Sequence, residues 1–223
     1  MKAGNCAYRN PGDLPEAIPV FPLPGALLLP RADMPLNIFE PRYVAMIDWA
    51  LKHERVVGMI QPDESLAPGE RGPTLFPIGC AGRITSFAET GDGRYMVTLT
   101  GISRFKIVEE LSDGSPFRRC RVTAIPFLGD FAATTADEAV DREAVLKTFR
   151  AYLDAHNLDA DWESVGLASN ETLINALAMM APFGTAEKQA LLEAPDLRRR
   201  AETLVAITEM SLARQSPGGR SLQ

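Results

Sequence analysis

Histidine and cysteine are scarce in this chain of 223 residues: two of the first, His53 and His156, and three of the second, Cys6, Cys80 and Cys120. Two imidazoles cannot build a multi-histidine metal centre, and three thiols at wide spacings fit neither a disulfide framework nor a zinc site. Reduced, mostly buried thiols are expected, with no metal and no cofactor. Long apolar runs are missing too. None reaches the roughly 18 residues of a membrane-spanning helix, and MKAGNCAYRNPGDLPEA at the N-terminus lacks the unbroken apolar segment of a secretory signal. A cytoplasmic protein without membrane contact is the expectation.

Catalytic signatures are absent in the same way. No Gly-Lys pair occurs, which excludes a phosphate-cradling GxxxxGK[ST] loop, and GxGxxG, HExxH and GxSxG do not occur either. Ser103-Arg104-Phe105-Lys106 matches SxxK, but the segment reads as a strand, where an odd separation sends Ser103 and Lys106 to opposite faces. The acidic group Asp154, Asp159, Asp161 and Glu163 lacks the glycine turn and terminal ligand of a calcium loop, so a solvated connection is expected.

Charge is uneven. Residues 1–127 hold 14 Lys and Arg against 14 Asp and Glu, whereas residues 128–163 hold 3 against 9, so the net −6 arises in one segment. A general polyanion-binding role is disfavoured. Arg83, Arg104, Lys106, Arg118, Arg119 and Arg121 form a looser basic group on predicted strands, with sparse aromatic interleaving. The run Arg198-Arg199-Arg200 reads as a solvated helix face, and Met179-Met180 as core filler.

What the chain does have is proline. Eight of its 17 prolines lie between Pro11 and Pro41, among the apolar runs Ile18–Phe21, Ala26–Leu29 and Leu36–Phe39. Proline cannot donate to a sheet ladder, so these runs are expected as edge, bulged or bent strands of a small barrel. Val44, Ile47 and Leu51 then repeat at helical spacing behind Pro41. VVGMI (56–60) is a short strand, followed by the polar loop QPDESLAPGERGP. TGDGR (90–94) reads as a hairpin turn, and Tyr95, Val97 and Leu99 alternate with Met96, Thr98 and Thr100 as in a half-buried strand. Beyond Asp137 the periodicity is helical: Val145, Phe149 and Leu153 form one stripe, ETLINALAMMA reads as an enclosed helix, and Leu197, Ala201, Leu204 and Leu212 mark the last one. The expected fold class is α+β: a disordered N-terminus (1–16), a β-rich barrel (17–127), a linker (128–136), a helical bundle (137–213) and a disordered tail (214–223).

IPVFPLPGALLLPRADMPLNIFEPRY, VVGMIQPDE, LFPIGCAGRIT and LTGISRFKIVEE, in this order, closely resemble the N-terminal, substrate-binding domain of Lon proteases in its small stand-alone bacterial form. ETLINALA and AEKQALLEAPDLRRRAETL extend the resemblance to about 195 of the 223 residues. It implies a PUA-like pseudo-barrel followed by a helical bundle, associated with substrate recognition. In full-length Lon the ATPase and the Ser-Lys peptidase lie in later domains, and this chain is expected to end before either, leaving a proteolysis-related but non-catalytic role. No family catalytic residue can be carried over.

Glu40, Arg42 and Tyr43 match the family's FEPRY block, and Gly101, Arg104 and Phe105 its G-x-x-R-F block. Glu40, Arg42, Tyr43, Arg104 and Phe105 are therefore the candidate partner-binding residues. Their structural reading is that Pro41 starts a helix, Gly101 makes a turn, Phe105 fills the core and an Arg–Glu pair ties helix to barrel. The expected function is non-enzymatic recognition of unfolded or apolar peptide segments or of a protein partner, with strand addition at a proline-interrupted edge as one mode. The alternatives are RNA binding through the basic strands and a hydrolase using Ser103.

Overall fold

The computed structural model describes residues 1–69, 71–132 and 140–215. The alternation that begins at Tyr95 continues much further than a typical strand. β7 (Tyr95–Leu111) is paired first with β4 (Asp33–Ile38) and β6 (Ile78–Glu89), then with β8 (Arg119–Thr123). Register shifts between Ala81 and Gly82, between Ile84 and Ser86, and between Ile107 and Glu109 mark the irregular points of these ladders, and such bulges bend a strand. The six-stranded sheet runs β4, β7, β6, β5 (Val56–Ile60), β3 (Ala17–Pro22), β8, and the extra β7–β8 pairing closes it into a barrel. Among the described residues, β4 is the one strand of this sheet outside the closure.

The prolines take up the places their missing N–H allows. In β3, Ala17, Ile18 and Pro19 pair with β8, whereas Val20, Phe21 and Pro22 pair in parallel with β5, so Pro19 sits where the strand changes neighbours. Pro35 lies on β4, the edge strand. The apolar run Ala26–Leu29 forms no strand; Leu27, Leu28 and Leu29 are buried in an irregular segment instead. The turn Thr90–Arg94 forms as expected, with Gly91 and Gly93 at positive φ and the Thr90 N–H donating to the Arg94 carbonyl.

Packing of the barrel interior turns on absent side chains. Phe105 is fully buried, and a Cβ on Gly58 or Gly79 would approach its ring to 2.8 or 2.6 Å, so both glycines are the space the ring occupies. Gly101 is not the turn residue expected but a strand residue pressed against backbone. A Cβ there would lie 2.0 Å from the Leu29 carbonyl oxygen. The same cluster takes in the N-terminus: β1 (Lys2–Ala3) and β2 (Cys6–Ala7) form a hairpin, and Ala3, Tyr8 and Leu14 are buried with Ile18, Val20 and Phe105. This corrects the expectation of a disordered 1–16, because a few apolar residues plus a capping box at Asn10 and Asp13 give that segment a fixed path.

α1 (Pro41–Lys52) buries Tyr43, Met46, Ile47 and Ala50; Val44 and Leu51, expected on the inner stripe, are half-buried flanks. The expected linker begins within a 3-10 segment, Ile125–Phe131, that buries Asp130 and Phe131; positions 133–139 lie outside the described residues.

The chain divides into two compact units, Met1–Ala133 with Pro182–Leu192, and Thr134–Ala181 with Glu193–Gln223. The helical region is thus shared: most of α5 (Thr185–Glu193) belongs to the barrel unit, against the contiguous bundle expected from 137. The second unit contains α2 (Arg142–His156), α3 (Trp162–Leu167), α4 (Asn170–Met180) and α6 (Leu197–Gln215). α4 buries Leu173, Ile174, Leu177 and Ala178 but leaves Met180 exposed, so it is not enclosed all round. Arg200 is buried, its Nη1 donating to Asn175, and only Arg198 and Arg199 form the solvated face. The tail expected from 214 lies outside the described residues after Gln215.

Gly101→Ala is expected to cost at least about 2 kcal/mol, because backbone must move to admit the methyl group. Gly129→Ala, where a Cβ meets nothing, should stay within about 0.5 kcal/mol. Urea unfolding of both variants checks the contrast.

Candidate functional site

The FEPRY block builds a corner between β4 and α1. Pro41 opens the helix at a position whose N–H would have no intrahelical acceptor, and Tyr43 turns inward, its ring 4.1 Å from that of Phe21. Arg42 and Glu40 pair with each other at 2.8 Å, both well exposed. They do not tie helix to barrel, as expected; the Tyr43–Phe21 contact does. An exposed pair of this kind is worth little to stability, which leaves both groups accessible to another molecule.

Beside this corner is an apolar surface that sequence reading missed. Phe39 is 61% exposed and Met96 47%. The β4–β7 register sets Asn37 opposite Met96, which places Phe39 diagonally from Met96 on the outer face, with the Arg94 guanidinium 5.9 Å from the Phe39 ring. Phe87, 36% exposed, lies on the other face, 4.9 Å from the Tyr95 ring. The Tyr95 hydroxyl donates to Asp48 of α1 at 3.0 Å, and that bond holds its pKa above the ordinary phenol value.

The second block behaves differently. Arg104 and Asp130 are a buried ion pair, with side chains 6% and 7% exposed. Asp130 Oδ2 accepts from the Arg104 backbone N–H at 2.9 Å and from Nε at 3.0 Å, and Oδ1 from Nη2 at 2.9 Å. Arg104 Nη1 donates to the Leu192 carbonyl of α5, and the guanidinium lies 4.8 Å from the Phe127 ring. Arg104 and Phe105 are therefore interior residues, and the expectation that they meet a partner gives way to a structural role. Asp130, the group that explains Arg104, lies in the segment expected as a linker. Its signal was a lone carboxylate in the apolar run IPFLGDF.

The remaining candidates resolve by burial and pairing. Ser103 is fully buried and donates to the Arg104 carbonyl, whereas Lys106 is exposed, so the SxxK spacing assembles no nucleophile. In the basic group, Arg118 pairs with Glu110, Arg119 with Asp113 and Arg121 with Glu109, while Arg83 donates to the Glu54 carbonyl. Among the described residues no three His, Cys, Asp or Glu side chains converge on a metal position. Asp161 caps α3 instead. Burial, reinforced by Glu110, pushes the Cys120 thiol up to about 12.

Removing one partner of the buried pair strands the other. Arg104→Met or Asp130→Asn should each cost about 3–5 kcal/mol, and the double variant less than the sum, in urea unfolding. Because Cys120 stays protonated well above neutrality and Cys80 is buried, iodoacetamide at pH 8 should label the native protein at Cys6 alone. Peptide mapping by mass spectrometry reads the result.

Residues 17–209 match the family described as the ATP-dependent protease La (LON) substrate-binding domain. The chain is 24% identical over 205 residues to Lon protease 2 of Myxococcus xanthus, covering 89% of this chain and 24% of that protein. It is 27% identical over 234 residues to Lon protease 2 of Sorangium cellulosum (strain So ce56), covering 95% and 27%. The chain thus spans about a quarter of the length of these relatives. Among solved structures, the Lon N-terminal domain protein from Xanthomonas campestris superposes with a TM-score of 0.58 at 22% identity, over 85% of this chain and 97% of that one. The N-terminal domain of Mycobacterium avium complex Lon protease gives 0.59 at 20%, over 86% and 98%. The α+β fold is that of Lon N-terminal domains, no described helix is long and apolar enough to cross a membrane, and the chain belongs to the Lon substrate-binding domain family.

Proposed function

We propose that this chain is a non-enzymatic recognition module that binds unfolded or apolar polypeptide segments. The observation that carries this reading is the family match across residues 17–209, which supports a substrate-recognition role. The exposed apolar side chains Phe39 and Met96, beside the accessible Glu40 and Arg42, supply a surface of the right chemistry. Aromatic and methionine side chains contribute large contact area and adapt to varied partners. A segment buried in a folded protein cannot present its apolar residues to such a surface, so recognition distinguishes unfolded from folded chains. Nucleic-acid binding has weaker support, because Arg118, Arg119 and Arg121 are each paired with a carboxylate.

The test is a fluorescence-anisotropy titration with reduced, carboxymethylated α-lactalbumin, which stays unfolded. Saturable binding is expected for this probe and none for native α-lactalbumin. Phe39→Asp should weaken the complex by about threefold or more. A flat titration with the unfolded probe would remove the reading.

A further inference from the structure

β4 is the one strand of the barrel sheet that, among the described residues, has a neighbour on a single side. Two independent features fix its hydrogen-bonding phase. The Gly101 N–H donates to the Ala32 carbonyl at 2.8 Å, and the ladder continues with Met34 opposite Leu99, Leu36 opposite Val97 and Ile38 opposite Tyr95. In an antiparallel pair the bonded positions alternate, so Met34, Leu36 and Ile38 direct their backbone groups at β7. Asp33, Pro35 and Asn37 direct theirs away. Pro35 confirms the phase, because it has no N–H to give to Thr98 and fits only an outward-directed position.

The open side therefore carries two donors, the N–H groups of Asp33 and Asn37, and three acceptors, the carbonyls of Asp33, Pro35 and Asn37. Asp33, Pro35 and Asn37 are exposed, as is Phe39 at the end of the row. The inward-facing side chains leave one partly open position at the same edge. Met34 and Ile38 are buried, whereas Leu36 between them, opposite the buried Val97 of β7, is half-buried.

We infer that the open edge of β4 is a docking site at which an extended polypeptide segment adds as a further strand, pairing with the backbone of Asp33, Pro35 and Asn37. This rests on the polypeptide-recognition reading and locates it. The donor and acceptor pattern selects the occupant: an extended backbone returns both bonds at Asp33 and Asn37 and donates one N–H to the Pro35 carbonyl. Its alternate side chains cover Leu36 on the inner face and meet Pro35 and Phe39 on the outer. A second copy of β4, paired antiparallel about Pro35, would set proline against proline with two carbonyls and no donor. Strand addition reads main chain more than side chain, so it suits a module that accepts many unfolded sequences.

Three variants of the full chain, titrated with reduced, carboxymethylated α-lactalbumin, test this. Asn37→Pro deletes an outward donor and should weaken binding roughly fivefold; Pro35→Ala adds one and should tighten it several-fold; Asn37→Ala keeps the N–H and should leave affinity unchanged. Circular dichroism confirms folding, and if Asn37→Pro does not fold, the gain with Pro35→Ala decides alone. Wild-type binding that none of the variants moves would overturn the edge while leaving recognition intact, whereas no wild-type binding would remove both. Equal losses for Asn37→Ala and Asn37→Pro would assign the contact to the side chain and overturn backbone pairing. A shift of the monomer–dimer balance in sedimentation, with probe affinity unmoved, would make the occupant a second copy and also overturn it.

Discussion

The barrel unit depends on two charges held away from water. Each of Arg104 and Asp130 would cost several kcal/mol to bury alone, and together they are tolerable only because nearly every donor and lone pair is used. Asp130 takes three hydrogen bonds from Arg104, and the guanidinium passes one on to Leu192. The pair thereby fixes where β7, the 3-10 segment Ile125–Phe131 and α5 meet. Phe105, the next residue, faces the opposite way and fills the space left by Gly58 and Gly79. Two consecutive residues of one strand thus anchor two interiors, which is why both are buried although strand neighbours usually alternate.

Closure follows from the same strand. β7 is long enough to pair with β4 and β6 at one end and β8 at the other, so it seals the barrel and leaves β4 as a flap on its outside. The geometry that makes the interior rigid makes one edge open. Ser103 is fully buried, and its hydroxyl donates to the Arg104 carbonyl and faces the Asp130 carboxylate that Arg104 already occupies. The open edge of β4 lies next to the exposed side chains of Phe39 and Met96.

Local signals were legible. VVGMI, the Thr90–Arg94 turn, the start of α1 at Pro41 and the alternation after Tyr95 all follow from short-range backbone preferences and side-chain periodicity. The N-terminal hairpin was not, because Ala3, Tyr8 and Leu14 are too widely spaced to show a period and are recruited only by the assembled core. Gly101 reads equally as turn or close approach until Leu29 is seen behind it. Arg200 is chemically the same as Arg198 and Arg199 in sequence; only helix phase buries it. The candidate site was half visible. FEPRY marked the corner, but Phe39 and Met96 are brought together by a ladder between residues far apart in the chain. The edge character of β4 was foreshadowed by Pro35, whose missing N–H suits few other positions.

The most direct measurement is backbone amide exchange, followed residue by residue by NMR, with and without saturating carboxymethylated α-lactalbumin. The Asp33 and Asn37 amides should exchange fast in the free protein and slow in the complex, with Leu36 and Ile38 protected in both. Protection appearing elsewhere, with Asp33 and Asn37 still exchanging fast, would contradict recognition through the open edge.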